Sequence, residues 1–281
     1  VAIANALTSN TTGESNVSVG SNSLGDNTTG SQNVAVGRQA LGDNTTANNN
    51  TAVGYNALLK NTTGPANTAV GKDSLKLNTT GGYNSAFGDE CMALNINGSS
   101  NVAMGDFTLR SNTSGSSNTA IGASSLNANT TASNNTAVGK SALSQNTTGS
   151  DNTAVGAAAL FANTTGAKNV ALGESSGINV TTGSSNIAIG YESLYTEDTE
   201  SDLIAIGTTA MYKNNGGSEN TAVGRSASYH NVTGDNNTAV GYVALHNNTA
   251  SNNTAVGTRA LEANTTGTFN TAVGAESLDA A

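Results

Sequence analysis

Few residues in this chain have side chains suited to catalysis or to tight metal binding. Of its 281 residues, two are histidines, His230 and His246, and one is a cysteine, Cys91. Catalysis needs a nucleophile or a paired acid and base held in a pocket, and zinc sites need closely spaced ligands. The histidines fall where exposed turns are expected. Cys91 occupies a position of an internal repeat, described below, that elsewhere holds small residues such as Ala or Ser, as a packed thiol does. We therefore predict no catalytic residues, no cofactor, no metal and no enzymatic activity.

One acidic segment is the main candidate for a binding surface. Five of the acidic residues lie between Glu192 and Asp202, beside two tyrosines. Carboxylates near tyrosines can hold a cation or contact a sugar, whereas an acidic turn is ordinarily just solvated. The candidate receptor or cation patch comprises Tyr191, Glu192, Tyr195, Glu197, Asp198, Glu200 and Asp202.

A 17-residue repeat positions these side chains. Ala-Val-Gly, or a close variant, returns at this fixed interval from Gly20 to Gly241. The next interval, to Gly257, is shorter by a single position, and the last, to Gly274, is again regular. Residues 1–4 (Val-Ala-Ile-Ala) form a degenerate further copy, so about seventeen units are present, and a fixed period of this kind indicates stacked units. The anchor glycines are Gly20, Gly37, Gly54, Gly71, Gly88, Gly105, Gly122, Gly139, Gly156, Gly173, Gly190, Gly207, Gly224, Gly241, Gly257 and Gly274.

Two apolar ridges run through the repeat, with positions counted from the anchor glycine as position 0. Position −2 is Ala in every complete unit but one (Ser18), position −1 is large and apolar, and position −3 is Thr, Val, Ile or Ser. This alternation predicts a very short strand, with −3 and −1 on one face and Ala on the other. A small residue at +3 and Leu or Met at +4 predict a second apolar ridge on a second short extended piece.

Asparagine marks the turns of each unit. Asn-Thr-Thr-Gly recurs, as at 27–30 and 61–64, and a further Asn precedes each strand. Asn can bond its own backbone and Gly accepts positive φ, so this is a turn signal. The same triplet accounts for the many matches to the N-glycosylation pattern. We expect the stacked Asn side chains to form hydrogen-bonded ladders.

The predicted fold is all-β: a parallel β-solenoid of about seventeen 17-residue circuits, here called rungs, in one continuous repeat domain over residues 1–281. A 17-residue unit cannot bury a core alone, whereas stacking places Val on Val and Leu on Leu. Burial at −1, +4 and −3 falls short of the entropy cost of ordering a rung, so further burial is needed. The Ala column either meets another chain in a homotrimer or lines a cramped interior; we favour the trimer.

Composition and charge exclude several classes of protein. Charged residues make up 10%, hydrophobic residues 36%, and Trp is absent, which excludes a large core of bulky side chains. The net charge of −9, without a basic block, makes nucleic acid a poor partner. No stretch approaches the roughly 20 apolar residues of a membrane span, so we predict no membrane insertion by this segment. One cysteine permits no internal disulfide.

The strand motif resembles that of a known family. Residues 33–37 (Asn-Val-Ala-Val-Gly) and 186–190 (Asn-Ile-Ala-Ile-Gly) resemble the Asn-Ser-Val-Ala-Ile-Gly motif of YadA-type trimeric autotransporter adhesin heads. The longer unit, as at 237–245, is similar to repeat regions of phage-type tail-fibre proteins. The resemblance covers the whole chain and implies a left-handed β-roll, three chains side by side and a surface-exposed adhesive rod. The chain departs from the adhesin heads in its longer interval, and periodicity alone also fits a right-handed coil.

These observations predict a non-enzymatic structural and adhesive fibre segment. It would be the trimeric β-roll rod of a phage tail fibre or bacterial surface adhesin, extracellular, and would bind a cell-surface glycan or protein receptor multivalently. Because the chain starts and stops within the repeat, we expect a piece of a longer fibre. Two alternatives stay open: a filament subunit that self-associates end to end, and a monomeric solenoid that binds a ligand or, through its Thr rows, ice.

Overall fold

The chain is an all-β parallel β-solenoid of about 15 rungs with a 17-residue repeat. A computed structural model describes residues 5–196 and 199–279, so the degenerate copy at 1–4 lies outside the described residues. Within them there is no helix, and hence none long and apolar enough to cross a membrane. The chain divides into two compact units, Val1–Lys140 and Ser141–Ala281, which are described separately.

Each unit contains eight strands of three residues, one in each rung. They begin at position −3 and end at −1, as the alternation predicts. The first unit holds β1 Val17–Val19, β2 Val34–Val36, β3 Thr51–Val53, β4 Thr68–Val70, β5 Ser85–Phe87, β6 Val102–Met104, β7 Thr119–Ile121 and β8 Thr136–Val138. The second holds β9 Thr153–Val155, β10 Val170–Leu172, β11 Ile187–Ile189, β12 Ile204–Ile206, β13 Thr221–Val223, β14 Thr238–Val240, β15 Thr254–Val256 and β16 Thr271–Val273.

Within each unit, every strand pairs in parallel with the next strand along the chain. The register places like on like, so that Ala52 faces Ala69 and Val53 faces Val70. At the shorter interval the strands keep this register, and Ala239 faces Ala255. The missing residue is therefore absorbed in the turn, and the predicted stacking of Val on Val is confirmed.

The interior of a single chain is filled by the Ala column and the +3 and +4 residues. Ala52, Ala57 and Leu58 are fully buried, as are their equivalents in most rungs. The prediction that a second chain covers the Ala column is wrong, because Ala lines the cramped interior. Positions −3 and −1 therefore point outward, and Val53 is 36% exposed.

The second extended piece predicted for each rung is absent from the described residues. Instead, positions +2, +4 and +12 have positive φ, as at Asn56 (55°), Leu58 (52°) and Ala66 (55°). This region is unfavourable for residues with a side chain, and most of all for branched ones. Burial of Leu58 and the hydrogen bond from its N–H to the Ser74 carbonyl (3.0 Å) offset that cost.

Two ladders of buried Asn side chains connect successive rungs, as expected. At +7, Asn78 Nδ2 donates to Asn61 Oδ1 (2.8 Å) and to the Gly81 carbonyl (2.9 Å). At −4, the backbone N–H and Nδ2 of Asn84 both donate to Asn67 Oδ1 (3.0 Å each). The +7 amide therefore closes the turn of its own rung and binds a neighbouring one, whereas the −4 amide joins neighbouring rungs, since Asn84 Nδ2 also donates to the Gly98 carbonyl (2.9 Å).

The ladders are interrupted in the second unit, where the sequence repeat is most disturbed. Val180 takes the +7 position and Leu203 the −4 position, and both are fully buried. Because Val180 offers no donor, the side-chain oxygen of Asn163 has no hydrogen-bond partner. Gly177 also replaces the usual Leu at +4, so this rung loses core volume as well as a ladder bond.

Candidate functional site

A row of stacked aromatic rings lies on the outer surface of the second unit. We call Tyr195, Tyr212, Tyr229 and His246 the aromatic ladder. Ring centres of successive members lie 4.8, 5.0 and 5.1 Å apart, with interplanar angles of 4°, 5° and 12°. These distances match the spacing of neighbouring strands in a sheet, so each rung contributes one ring.

The solenoid places these rings outside because of the residue before each of them. Position +4 points inward, and Leu194, Met211 and Leu245 are buried. The following residue, at +5, therefore leaves the core, and its ring is half-buried against its neighbours. Stacking hides the ring faces and leaves the ring edges and phenol groups at the surface.

The phenol groups of the ladder can donate hydrogen bonds, and the pKa of Tyr212 is shifted. Burial raises the pKa of Tyr212, and the charge of Glu192 and the adjoining Tyr195 and Tyr229 add to this effect. Lys213 Nζ lies 6.0 Å from the centre of the Tyr229 ring, within range of a cation–π contact. The row thus offers aligned donors beside an apolar edge, which suits contact with a hydroxyl-rich ligand such as a glycan.

The two histidines meet at one end of the aromatic ladder. The rings of His230 and His246 are 5.2 Å apart and nearly perpendicular (78°), and His230 also meets the edge of Tyr229 at 4.7 Å. The backbone N–H of His230 donates to the His246 carbonyl (2.9 Å). Burial lowers the pKa of His230, and the nearby Lys213 and His246 lower it further.

The predicted acidic patch is only partly assembled. Tyr191 is 48% exposed, and a hydrogen bond to Glu192 raises its pKa, followed by the charge of that carboxylate. Tyr195 belongs to the aromatic ladder instead, while Glu197 and Asp198 lie outside the described residues.

Two further residues of that patch are bonded to neighbouring rungs. Glu200 accepts hydrogen bonds from Ser218 Oγ (2.8 Å) and Thr199 Oγ1 (3.2 Å). Asp202 sits at +12 with φ 62°, and its N–H donates to the Ser184 carbonyl (3.1 Å). Across residues 5–196 and 199–279, no three His, Cys, Asp or Glu side chains converge on a point that could hold a metal ion.

A shallow groove of about 200 Å³ lies on the first unit. Its charged groups are ion-paired: Arg110 Nε lies 2.6 Å from Glu90 Oε2, and Lys76 Nζ lies 3.3 Å from Asp73 Oδ1. Because each carboxylate already holds a cation, the groove presents little net charge to a ligand. Its lining is Asp73, Lys76, Leu77, Glu90, Ala93, Leu94 and Arg110.

The cysteine lies in the interior, where the sequence places it. Cys91 is fully buried, and burial raises the pKa of its thiol to about 12. A backbone hydrogen bond at Phe87 acts in the opposite direction but is smaller. The thiolate, which is the reactive form, is therefore not populated at neutral pH.

Comparison with known proteins adds no relative from which a function could be transferred. No protein-family model, no curated protein and no solved structure matches the chain.

Sequence reasoning missed the aromatic ladder although its signal is in the repeat. Tyr195, Tyr212, Tyr229 and His246 recur at the 17-residue interval, so each occupies the same +5 position. Reading the variable positions by column, rather than along the chain, would have grouped them. The contact of His230 with His246 was not visible in this way, because they occupy different columns, +6 and +5.

Proposed function

We propose that this chain is a non-enzymatic structural and adhesive fibre segment, a homotrimeric β-roll rod of the kind found in phage tail fibres or bacterial surface adhesins. The observation that carries the proposal is the outward stripe, the row of large apolar side chains at position −1. In the first unit, Val36, Val53, Phe87, Met104 and Ile121 are 36–48% exposed. In the second, Val155, Leu172 and Val256 are 37–39% exposed.

The outward stripe has the character of an association surface. Soluble monomers rarely expose a long continuous apolar patch. Here the patch lies on parallel strands in fixed register, so every rung presents the same surface. A second and third copy of the chain, side by side, would cover the stripe on all three. Because Ala and Leu already fill the interior of each chain, we expect the chains to associate through their outer faces.

Three chains would repeat each surface feature around the fibre. Weak contacts made by the aromatic ladder would then occur three times at fixed spacing, which raises avidity without new contacts. We assign the ladder to receptor contact, with a cell-surface glycan or a protein as the partner. The location that follows is extracellular, on a virion or a bacterial surface.

The hydrogen bonds of the Thr rows argue against ice binding. At +8, Thr28 Oγ1 donates to the Thr45 carbonyl (3.0 Å) and Thr62 Oγ1 donates to the Thr79 carbonyl (3.0 Å). Hydroxyls used to bond the neighbouring rung are not available to order a layer of water. The flat face at −3 and −1 mixes Thr with Val, Ile and Phe rather than presenting Thr alone.

The experiment that tests the proposal is the solution mass of the chain by light scattering. Three chains of 27.8 kDa give about 83 kDa. We expect this species for the natural chain, and a monomer for the double variant Val53→Glu with Val155→Glu, because a buried unpaired carboxylate is costly. The control is Thr63→Glu with Thr165→Glu, at exposed turn positions, which should remain trimeric.

Other outcomes separate the alternatives. A monomeric natural chain would contradict the trimer and favour a single solenoid that binds a ligand. An open-ended series of large species, insensitive to the stripe variants, would instead favour rungs that stack end to end. Loss of glycan or cell binding in Tyr212→Ala, with the mass unchanged, would support the role of the aromatic ladder.

A further inference from the structure

The chain contains two histidines, and the structure brings them into contact on one surface. His230 and His246 lie in successive rungs of the second unit and are joined by a backbone hydrogen bond of 2.9 Å. Imidazole is a preferred ligand for borderline divalent metals such as Cu²⁺, Ni²⁺ and Zn²⁺. Cys91, the one thiol in the sequence, is buried in the first unit and is not accessible to a surface ion.

The separation of the two rings fits shared ligation of one ion. With metal–nitrogen distances of about 2.0–2.1 Å, the centres of two imidazoles on one ion lie roughly 4.5–5.5 Å apart. The centres of the His230 and His246 rings are 5.2 Å apart. The rings now meet edge to face, so one must rotate to aim its nitrogen at the ion. His χ2 has a broad energy profile that permits this rotation.

Both rings have a nitrogen lone pair available. Nδ1 of His246 lies 3.1 Å from Oδ1 of Asn247, which can only accept, so Nδ1 carries the proton and Nε2 carries the lone pair. The His230 ring makes no hydrogen bond to the described residues, so a rotation of this ring breaks only its edge contacts with Tyr229 and His246.

We infer that His230 and His246 together bind one divalent transition-metal ion, each through one nitrogen, with water completing the coordination. In this arrangement Asn247 is a positioning residue, because its side-chain oxygen selects the tautomer of His246. The ion would link two successive rungs and leave coordination positions open for an incoming ligand.

The surrounding charges set the strength of the site. Lys213 is exposed, and its Nζ lies 6.0 Å from the centre of the Tyr229 ring that His230 contacts, so its charge disfavours a bound cation. Glu262 occupies the +5 position of the next rung and is the nearest carboxylate in that column. It is ion-paired, however, because its Oε2 lies 3.4 Å from Arg259 Nε. With two protein ligands and a nearby cation, we expect a site weaker than structural zinc centres and strongest for Cu²⁺, as the general order of metal affinities requires.

Isothermal titration of the chain, produced without a histidine tag, with CuCl₂ and NiCl₂ tests the inference. We expect one ion per chain, and a loss of affinity of more than ~10-fold in His230→Gln and in His246→Gln, because each removes one arm of a chelate. Lys213→Gln should bind more tightly than the natural chain. Asn247→Ala should lower the metal affinity ~10-fold. Asn247→Asp should restore the affinity, because its carboxylate again accepts a hydrogen bond from Nδ1 of His246.

A spectroscopic measurement makes the result independent of the variants. Electron paramagnetic resonance of the Cu²⁺ complex of the natural chain should show coupling to two imidazole nitrogens. A signal from one nitrogen, two equal independent sites per chain, or equal affinities for the natural chain and both single variants would each overturn the inference. Circular dichroism of every variant verifies that the solenoid is intact.

Discussion

A carboxylate set between two rungs shows how single residues respond to pH. Asp73 accepts a hydrogen bond from Asn56 Nδ2 (2.9 Å) and lies 3.3 Å from Lys76 Nζ. Burial on its own raises the pKa of Asp73, but the hydrogen bonds of Asn56 and Lys76 and the charges of Lys76 and Lys72 outweigh it. The net pKa is therefore lower than the usual 3.8.

This lowered pKa predicts a loss of stability in acid. The contribution of Asp73 is complete above pH 3.8, where the unfolded carboxylate is also ionised, and is lost as the pH falls through the folded value. We expect Asp73→Asn to be less stable than the natural chain at pH 7 by on the order of 1 kcal/mol. That difference should shrink below pH 3.8 in thermal unfolding followed by circular dichroism. A difference that is constant from pH 7 to strongly acidic pH would contradict this explanation.

At the scale of the strand and its turn, the anchor glycine is required by the closeness of the next rung. Gly71 has φ of 140°, and a Cβ built on it would lie 2.1 Å from the Gly88 carbonyl oxygen. Both the backbone conformation and the space exclude a side chain. The repeat therefore keeps Gly there in every rung from 20 to 274.

We predict that Gly71→Ala destabilises the chain by about 2–5 kcal/mol, combining backbone strain with overpacking. The matched control is Gly25→Ala, where φ is not positive and the nearest atom, the Asn22 carbonyl oxygen, is 3.4 Å away. This control should change stability by less than about 0.5 kcal/mol. Midpoints of thermal unfolding compare the two variants, and equal midpoints would show that the rungs can separate without cost.

At the scale of the whole molecule, stability varies along the repeat because each rung binds its neighbours. Repeat proteins of this kind sum the stabilities of rungs and their interfaces, and they open locally. The rung containing Gly177 and Val180 lacks both the buried Leu and the ladder Asn of a regular rung. The regular rung at Leu75 and Asn78 has both.

Two equivalent amides allow a direct comparison. The N–H of Val180 donates to the Gly177 carbonyl and that of Asn78 donates to the Leu75 carbonyl, each at 3.1 Å. Because the hydrogen-bond lengths are equal, a difference in exchange reports the stability of the surroundings. We expect the Val180 amide to exchange more than ~10-fold faster in native-state hydrogen exchange. Equal protection of the two amides would show that core volume and the Asn ladder contribute little to the stability of a rung.

The period, the parallel register and the Asn ladders were all predictable from the sequence alone. These follow from identical residues recurring at one interval, since stacking like on like is the arrangement that satisfies every rung at once. The sequence also placed Cys91 in the interior and indicated the interruption at Gly177. Fold class and repeat length were therefore open to prediction without any tertiary information.

Which face of the strand points inward is seen in the folded coil and not in the sequence. Alternation separates −1 from −2 but does not say which is inside, and the larger Val at −1 was expected to build the core. In the folded rung the smaller residue faces inward, so Ala52 is buried and Val53 is exposed. The positive φ of Leu58 was likewise not predictable from the sequence. Leu disfavours this backbone conformation, but burial and the hydrogen bond to the next rung outweigh that preference.

The contact between His230 and His246 likewise depends on the three-dimensional path of the turn. The two residues occupy different positions of the repeat, and no interval in the sequence relates them. Their ring centres lie 5.2 Å apart because of the direction in which each side chain leaves its rung. The repeat fixes the spacing of rungs along the axis, but the orientation of side chains around it is settled by packing of the folded coil.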